Sequence, residues 1–200
     1  MPRLVVFNNV TVDGYFSDKK GDMSWAHNQQ KDAEWDEFVA ENASSEGTLL
    51  LGRKTYEMMA GYWPTPAAKR DNPEVAEGMN RLKKVVFSRT LHKTEWSNTT
   101  IKKGDLIDEV RKMKEGDGED IVILGSGSLI KQLAPEGLID EYQLVVHPLV
   151  LGAGRTMFDG IDKKLPMKKA SERSFDNGNV VLSYQPALPG KGASRTTSAS

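Results

Sequence analysis

Asp120-Ile121-Val122-Ile123-Leu124-Gly125-Ser126-Gly127-Ser128-Leu129-Ile130 is the stretch that decides how the rest of the chain is read. Its aliphatic and β-branched run forms a short strand buried on both faces, and the Gly-Ser-Gly that follows turns the chain directly into a helical stretch. Backbone N–H groups converge at such a turn with the positive end of the helix dipole behind them, so an anion such as a pyrophosphate is held without side chains. The turn therefore points to a dinucleotide. Taken alone it is a weak signal, because it lacks the third glycine of G-x-G-x-x-G and Ile130 stands where a small residue would let helix and strand approach. A plain strand-to-helix turn fits equally well, and the remaining sequence has to decide.

The alternation recurs. Apolar, β-branched runs at 4–9, 48–51, 85–88 and 121–124 each precede a helical pattern, which predicts an α/β domain with a mainly parallel sheet covered on both faces. Asp32 is placed to cap a helix carrying Trp35, Phe38 and Val39 on one face. Asn72-Pro73-Glu74 opens another with Val75, Met79 and Leu82 inward, and Asp105 caps a third with Leu106, Val110 and Met113, ending at Gly116. The last part reads as strands at 141–147, 167–175 and 179–185, the final two joined by the hairpin signal Asp176-Asn177-Gly178. With a short strand near 99–102, the expectation is a mixed, mostly parallel sheet of about eight strands with an antiparallel C-terminal hairpin, and about four helices. Residues 1–186 form one domain in this reading, and 187–200, rich in Gly, Ser and Thr, are expected as a disordered tail.

Composition narrows the function classes. A chain of 200 residues with 38% apolar and 28% charged content is ordinary for one globular domain. Its net charge of -1 offers no general attraction to nucleic acid or an acidic membrane surface, so neither is expected as a partner. The absence of cysteine excludes disulfides, thiolate metal sites and cysteine nucleophiles, and fits a reducing compartment. The opening apolar run is too short for a signal peptide and no stretch reads as a membrane span, so a cytoplasmic location is expected. His27, His92 and His147 are too scattered to predict a metal site.

In open α/β sheets ligands bind beyond the carboxyl ends of the strands, and the residues there form a set. Gly52-Arg53-Lys54-Thr55 follows the second strand, Ser88-Arg89 the third, and Gly125-Ser126-Gly127-Ser128 the next parallel one. Glycines admit the backbone to a phosphate, hydroxyls bond its oxygens, and Arg53, Lys54 and Arg89 offer charge for the additional 2′-phosphate that separates NADPH from NADH. Gly47 to Thr55 nearly spells the phosphate-binding loop of nucleotide triphosphatases, but the arginine is one residue too many and the intervening leucines favour strand.

These residues resemble the dihydrofolate reductase superfamily. Gly52-Arg53-Lys54-Thr55-Tyr56-Glu57 is similar to the Gly-Arg-Lys-Thr-Trp-Glu segment of dihydrofolate reductases. Thr11-Val12-Asp13-Gly14-Tyr15-Phe16, Gly137-Leu138-Ile139-Asp140-Glu141 and His147-Pro148-Leu149-Val150-Leu151-Gly152-Ala153-Gly154 are similar to the riboflavin-pathway pyrimidine reductases, which share that fold. The resemblance runs in motif order over about residues 3–185 and implies a three-layer sandwich and an NADPH-dependent reductase. Carried over position by position, it places Asn9, Val10 and Phe16 beside the nicotinamide. Gly52, Arg53, Lys54, Thr55, Ser88 and Arg89 meet the adenosine phosphates, and Gly125, Ser126, Gly127, Ser128 and Leu129 hold the pyrophosphate.

The same resemblance assigns Met23-Ser24-Trp25 to a loop closing over a small heterocyclic substrate. Asp32, three residues ahead of Trp35 as in the Asp-x-x-Trp of dihydrofolate reductases, becomes the catalytic acid, with a pKa raised by an apolar cleft. A plain helix cap is the competing role for Asp32. Asp36 and Val146 depart from the folate pattern and Tyr15 from the pyrimidine reductase pattern, where lysine is common. The implied activity is hydride transfer to a pyrimidine- or pteridine-like heterocycle, as in 5-amino-6-(5-phosphoribosylamino)uracil reductase. Dihydrofolate reductase proper and a non-catalytic nucleotide-binding paralogue are the alternatives. The late antiparallel strands leave an edge suited to a homodimer.

Overall fold

The computed structural model describes residues 1–27 and 30–187. Its main sheet has eight strands in the order β5-β4-β3-β6-β1-β7-β10-β9: β1 (Leu4–Thr11), β3 (Thr48–Gly52), β4 (Lys83–Phe87), β5 (Thr99–Lys102), β6 (Ile121–Leu124), β7 (Glu141–His147), β9 (Met167–Ser174) and β10 (Val180–Pro186). The strands from β5 to β7 are all parallel, and β10 and β9 complete the sheet antiparallel, as the hairpin signal predicts. Gly178 takes a φ of +85°, which suits glycine at this turn, and the hairpin closes through Phe175 N–H on the Asn179 carbonyl. The two short strands β2 (Tyr15–Ser17) and β8 (Arg155–Thr156) pair with each other apart from the main sheet.

Alternation along the strands sorts the core into two faces. Leu4, Val6, Leu50, Ile121 and Ile123 point one way and pack beneath α5 (Leu106–Lys114) and α6 (Gly127–Leu133), through Leu106, Val110, Leu129, Ile130 and Leu133. Leu49, Leu51 and Val86 point the other way, toward α2 (Arg53–Ala60) and α4 (Pro73–Arg81), meeting Tyr56 and Met79. On that second face α1 (Ala33–Ser44) covers Val145 and Val181 with Trp35 and Phe38. The result is the expected three-layer sandwich.

The helix count differs from expectation: six α-helices are present among the described residues, the unexpected ones being α2 and α3 (Pro66–Asp71). Helix α2 starts on the residue after β3 with Gly52 as N-cap and no side-chain cap bond, so Arg53-Lys54-Thr55 is a first helical turn rather than a loop. The capping residues named from sequence do cap: Asp105 accepts from Ile107 N–H and Asp108 N–H, and Asp32 accepts from Trp35 N–H. After β10, Ala187 N–H donates to the Pro166 carbonyl, so residue 187 is still tied to the chain just ahead of β9. The rest of the expected tail, from 188 onward, lies outside the described residues.

Candidate active site

Insertion of β6 between β3 and β1 makes the chain reverse its travel across the sheet. This is the topological position at which open α/β sheets bind ligands. Two turns meet there, and a single hydroxyl joins them. Ser126 sits at φ 53° with Oγ accepting from Gly52 N–H at 2.8 Å and donating to Thr55 Oγ1 at 3.0 Å. The glycines are required by the fit: a Cβ on Gly52 would come 3.3 Å from Ser126 Oγ, and one on Gly125, at φ +59°, 3.2 Å from the Thr55 methyl. From the other side the Phe16 ring lies 3.5 Å from where a Gly127 Cβ would be. Phe16, Gly52, Thr55, Gly125, Ser126, Gly127 and Ser128 therefore form one cluster.

Asn8, which the sequence reading passed over, braces this cluster. Its buried side chain accepts from Gly125 N–H at 2.6 Å through Oδ1, while Nδ2 donates to Met157 Sδ at 2.8 Å. An Asn in the inward register of an otherwise apolar strand is the signal that would have found it, since buried amides demand partners.

Three of the residues expected at the phosphates have partners within the protein. Leu129 is a core residue whose N–H closes on the Ser126 carbonyl at 2.8 Å, so its side chain faces away from any ligand. Ser88 spends its hydroxyl accepting from Thr90 and Leu91 N–H groups in the turn after β4. Arg53 is exposed and paired with Glu57 along α2 at 3.0 Å. Lys54 and Arg89 are both exposed with no ion-pair partner among the described residues, and each lies two residues beyond the register pair Gly52↔Phe87 on neighbouring strands.

A second group of residues gathers beyond β1 and β7. Trp35 meets Phe175 at 5.1 Å and Phe38 at 5.6 Å between ring centroids, and His147 lies 6.4 Å from Trp35. Trp25, in a short 3₁₀ turn (Ser24–Ala26) capped by Met23, stands edge-on to His147 at 5.4 Å. The loop leading to it is held by its own carboxylates: Asp18 accepts from Lys20 and Asp22 N–H groups, and Asp22 accepts from the Ser24 hydroxyl. Val10 is buried in the core, paired in register with Val146.

Asp32 sits at the edge of this aromatic group, buried, accepting from Trp35 N–H at 3.1 Å and Asn177 N–H at 3.0 Å. Those two backbone donors, Trp35 first, hold its carboxyl below the usual carboxylate range. The raised pKa expected for an acid in an apolar cleft is not found, because the cleft wall supplies N–H donors that favour the charged form. Asp32 is a helix cap whose surroundings favour the carboxylate.

His147, read from the sequence only as too far from the other histidines for a metal site, stands among these rings. It is buried, Nε2 lies 2.8 Å from Asn9 Oδ1, and burial, with His27 adding to it, pushes its pKa down to about 4. Asp13 ties the same end of the sheet together, accepting from the Thr11 hydroxyl and from Leu151 and Gly152 N–H groups. Its signal was present in Asp13-Gly14 after the first strand.

Comparison with known proteins follows the same lines. The uncharacterized protein YyaP of Bacillus subtilis (strain 168) is 32% identical over 187 residues, covering 91% of this chain and 94% of its own. Among solved structures, a Shewanella sp. PV-4 protein described with riboflavin biosynthesis superimposes with a TM-score of 0.69 at 21% identity, covering 93% of this chain and 99% of its own. A dihydrofolate reductase from Enterococcus faecalis, complexed with NADP(H), does so with a TM-score of 0.60 at 16% identity, covering 92% of this chain and 96% of its own. The model of the RibD C-terminal domain matches residues 2–181, and the chain belongs to that family.

Proposed function

We propose that this protein is an NADPH-dependent reductase delivering hydride to a flat, pyrimidine- or pteridine-like heterocycle. The observation that carries the reading is the Ser126 hydroxyl joining the β3–α2 and β6–α6 turns, which sets Gly52, Thr55, Gly125 and Gly127 around one point with Lys54 and Arg89 nearby. A pyrophosphate suits such a surface, because the two glycine turns pack directly on Ser126 and Thr55 and bring their backbone N–H groups and hydroxyls to one place. Gly125, Gly127, Ser128 and Thr55 would hold the pyrophosphate, Lys54 and Arg89 the 2′-phosphate, and Asn9 and Phe16 the nicotinamide end. NADPH bound there supplies a hydride.

The residues of this chain do the rest. Trp25 and Trp35 offer ring faces and edges to a planar substrate, and Phe38 and Phe175 keep water from the base of that wall. Asp32, ionised, attracts a ring N–H or a protonated ring nitrogen, so the proton that balances hydride arrival is held on the substrate rather than on Asp32. One observation favours a second reading, nucleotide binding without turnover: both Asp32 oxygens already accept backbone bonds.

Fluorescence titration tests the cofactor. NADPH should bind at least about tenfold tighter than NADH, and Lys54→Ala or Arg89→Ala should narrow that gap while leaving NADH unchanged. Equal affinity for both nucleotides would contradict the assignment. NADPH oxidation against dihydrofolate, the ribosylaminopyrimidine and simple quinoid or imine compounds then identifies the acceptor.

A further inference from the structure

The end of β1 faces two ways: Asn8 reaches the Gly125 turn, and Asn9 reaches the aromatic group where His147 stands. We propose that His147 positions the Asn9 side chain so that its amide Nδ2–H₂ meets a carbonyl oxygen of the bound ligand. That oxygen is either the carboxamide of the reduced nicotinamide or a ring carbonyl of the heterocycle. The inference rests on the reductase reading above and adds a positioning residue and a ligand chemistry to it.

Register and packing carry the argument. Parallel pairing sets Thr11 opposite His147, which brings the side chains of Asn9 and His147 to the same face at 2.8 Å. His147 is 3% exposed, walled by Trp25 at 5.4 Å and Trp35 at 6.4 Å, and no carboxylate bonds its ring among the described residues. A charged imidazolium has nothing to compensate it in that setting, so the ring is neutral and carries one hydrogen. Placed on Nε2, that hydrogen donates to Asn9 Oδ1 and fixes which way the amide faces. With Oδ1 occupied, Asn9 presents only donors, and its Nδ2 has no hydrogen-bond acceptor among the described residues. Asn9 is half-buried, so a ligand can reach it, whereas His147 acts only through it.

The variants His147→Phe and His147→Gln test this, because glutamine can still donate to Asn9 and phenylalanine cannot. Each is titrated with NADPH and with 2′-phospho-ADP-ribose, which lacks the nicotinamide, and then assayed for KM and kcat with the member of the panel above that wild-type protein reduces fastest. If the carbonyl is the nicotinamide's, His147→Phe weakens NADPH about fivefold to tenfold, leaves 2′-phospho-ADP-ribose unchanged, and His147→Gln restores most of the loss. If it is the heterocycle's, NADPH affinity is unchanged and the heterocycle KM rises by the same factor, again restored by glutamine.

The inference is overturned if His147→Phe matches the wild type within about twofold in both respects, if glutamine is no better than phenylalanine, or if 2′-phospho-ADP-ribose binding falls equally. Asn9→Ala gives the same readouts should His147→Phe fold poorly. A wild-type protein that does not bind NADPH overturns the reductase reading and this inference together, whereas the other failures overturn the inference alone.

Discussion

At Asp32 one carboxylate fastens two segments, and substitution separates fastening from chemistry. Asparagine keeps one oxygen that accepts from Trp35 N–H but turns an NH₂ toward the buried Asn177 N–H, so Asp32→Asn should lower the thermal midpoint by about 5 °C while leaving the fold intact. It removes the anion, and turnover should fall about 100-fold or more with NADPH affinity retained. Retained turnover would remove Asp32 from the chemistry. His147 gives a pH prediction with a definite sign. Its folded pKa of about 4 lies below the ordinary 6.5, so the folded state binds fewer protons and stability is lost as pH falls from 6.5 toward 4. The full loss is about 3 kcal/mol, and His147→Gln should abolish it in urea melts compared at pH 7 and pH 4.5. The sequence showed Asp32 as a cap because capping is local. It could not show the Asn177 N–H donor, 145 positions away, that keeps the carboxylate ionised.

Contacts between elements explain what the sequence concealed. Helix α2 abuts β3 without a linker and without a capping side chain, so no start signal marks it, whereas Asp105 and Pro73 announce α5 and α4. On α4, Gly78 allows close approach to α1: a Cβ there would lie 2.1 Å from the Ala43 carbonyl oxygen. Gly78→Ala should cost about 3 kcal/mol in urea unfolding, as overpacking does, against the small gain an exposed helical Gly→Ala would give. Lys84 is equally illegible, since a lysine in β4 reads as surface. It is 1% exposed, and Nζ donates to the carbonyls of Asn80, Leu82 and Ser97 while lying 4.3 Å above the Trp96 ring. Lys84→Ala would remove the donor these three carbonyls share and leave a void beneath Trp96, a loss of about 3 kcal/mol measurable by the same melts.

Over the whole molecule, strand identity and the antiparallel finish were legible because period-two patterns and turn residues are local. The sheet order was not, because it depends on pairings between distant segments. The convergence of the Gly52 and Gly125 turns follows from that order, and the motif resemblance anticipated it where periodicity alone could not. β1 shows what the order entails. It comes first among the described strands, and both its neighbours, β6 and β7, begin more than a hundred residues later, at Ile121 and Glu141. During synthesis the apolar Leu4-Val5-Val6-Phe7 must therefore wait unpaired until more than a hundred further residues have left the ribosome, the interval in which holding chaperones act on exposed hydrophobic segments. Nascent chains arrested before β7 emerges should remain protease-sensitive at their amino end, and those extended past β10 should not.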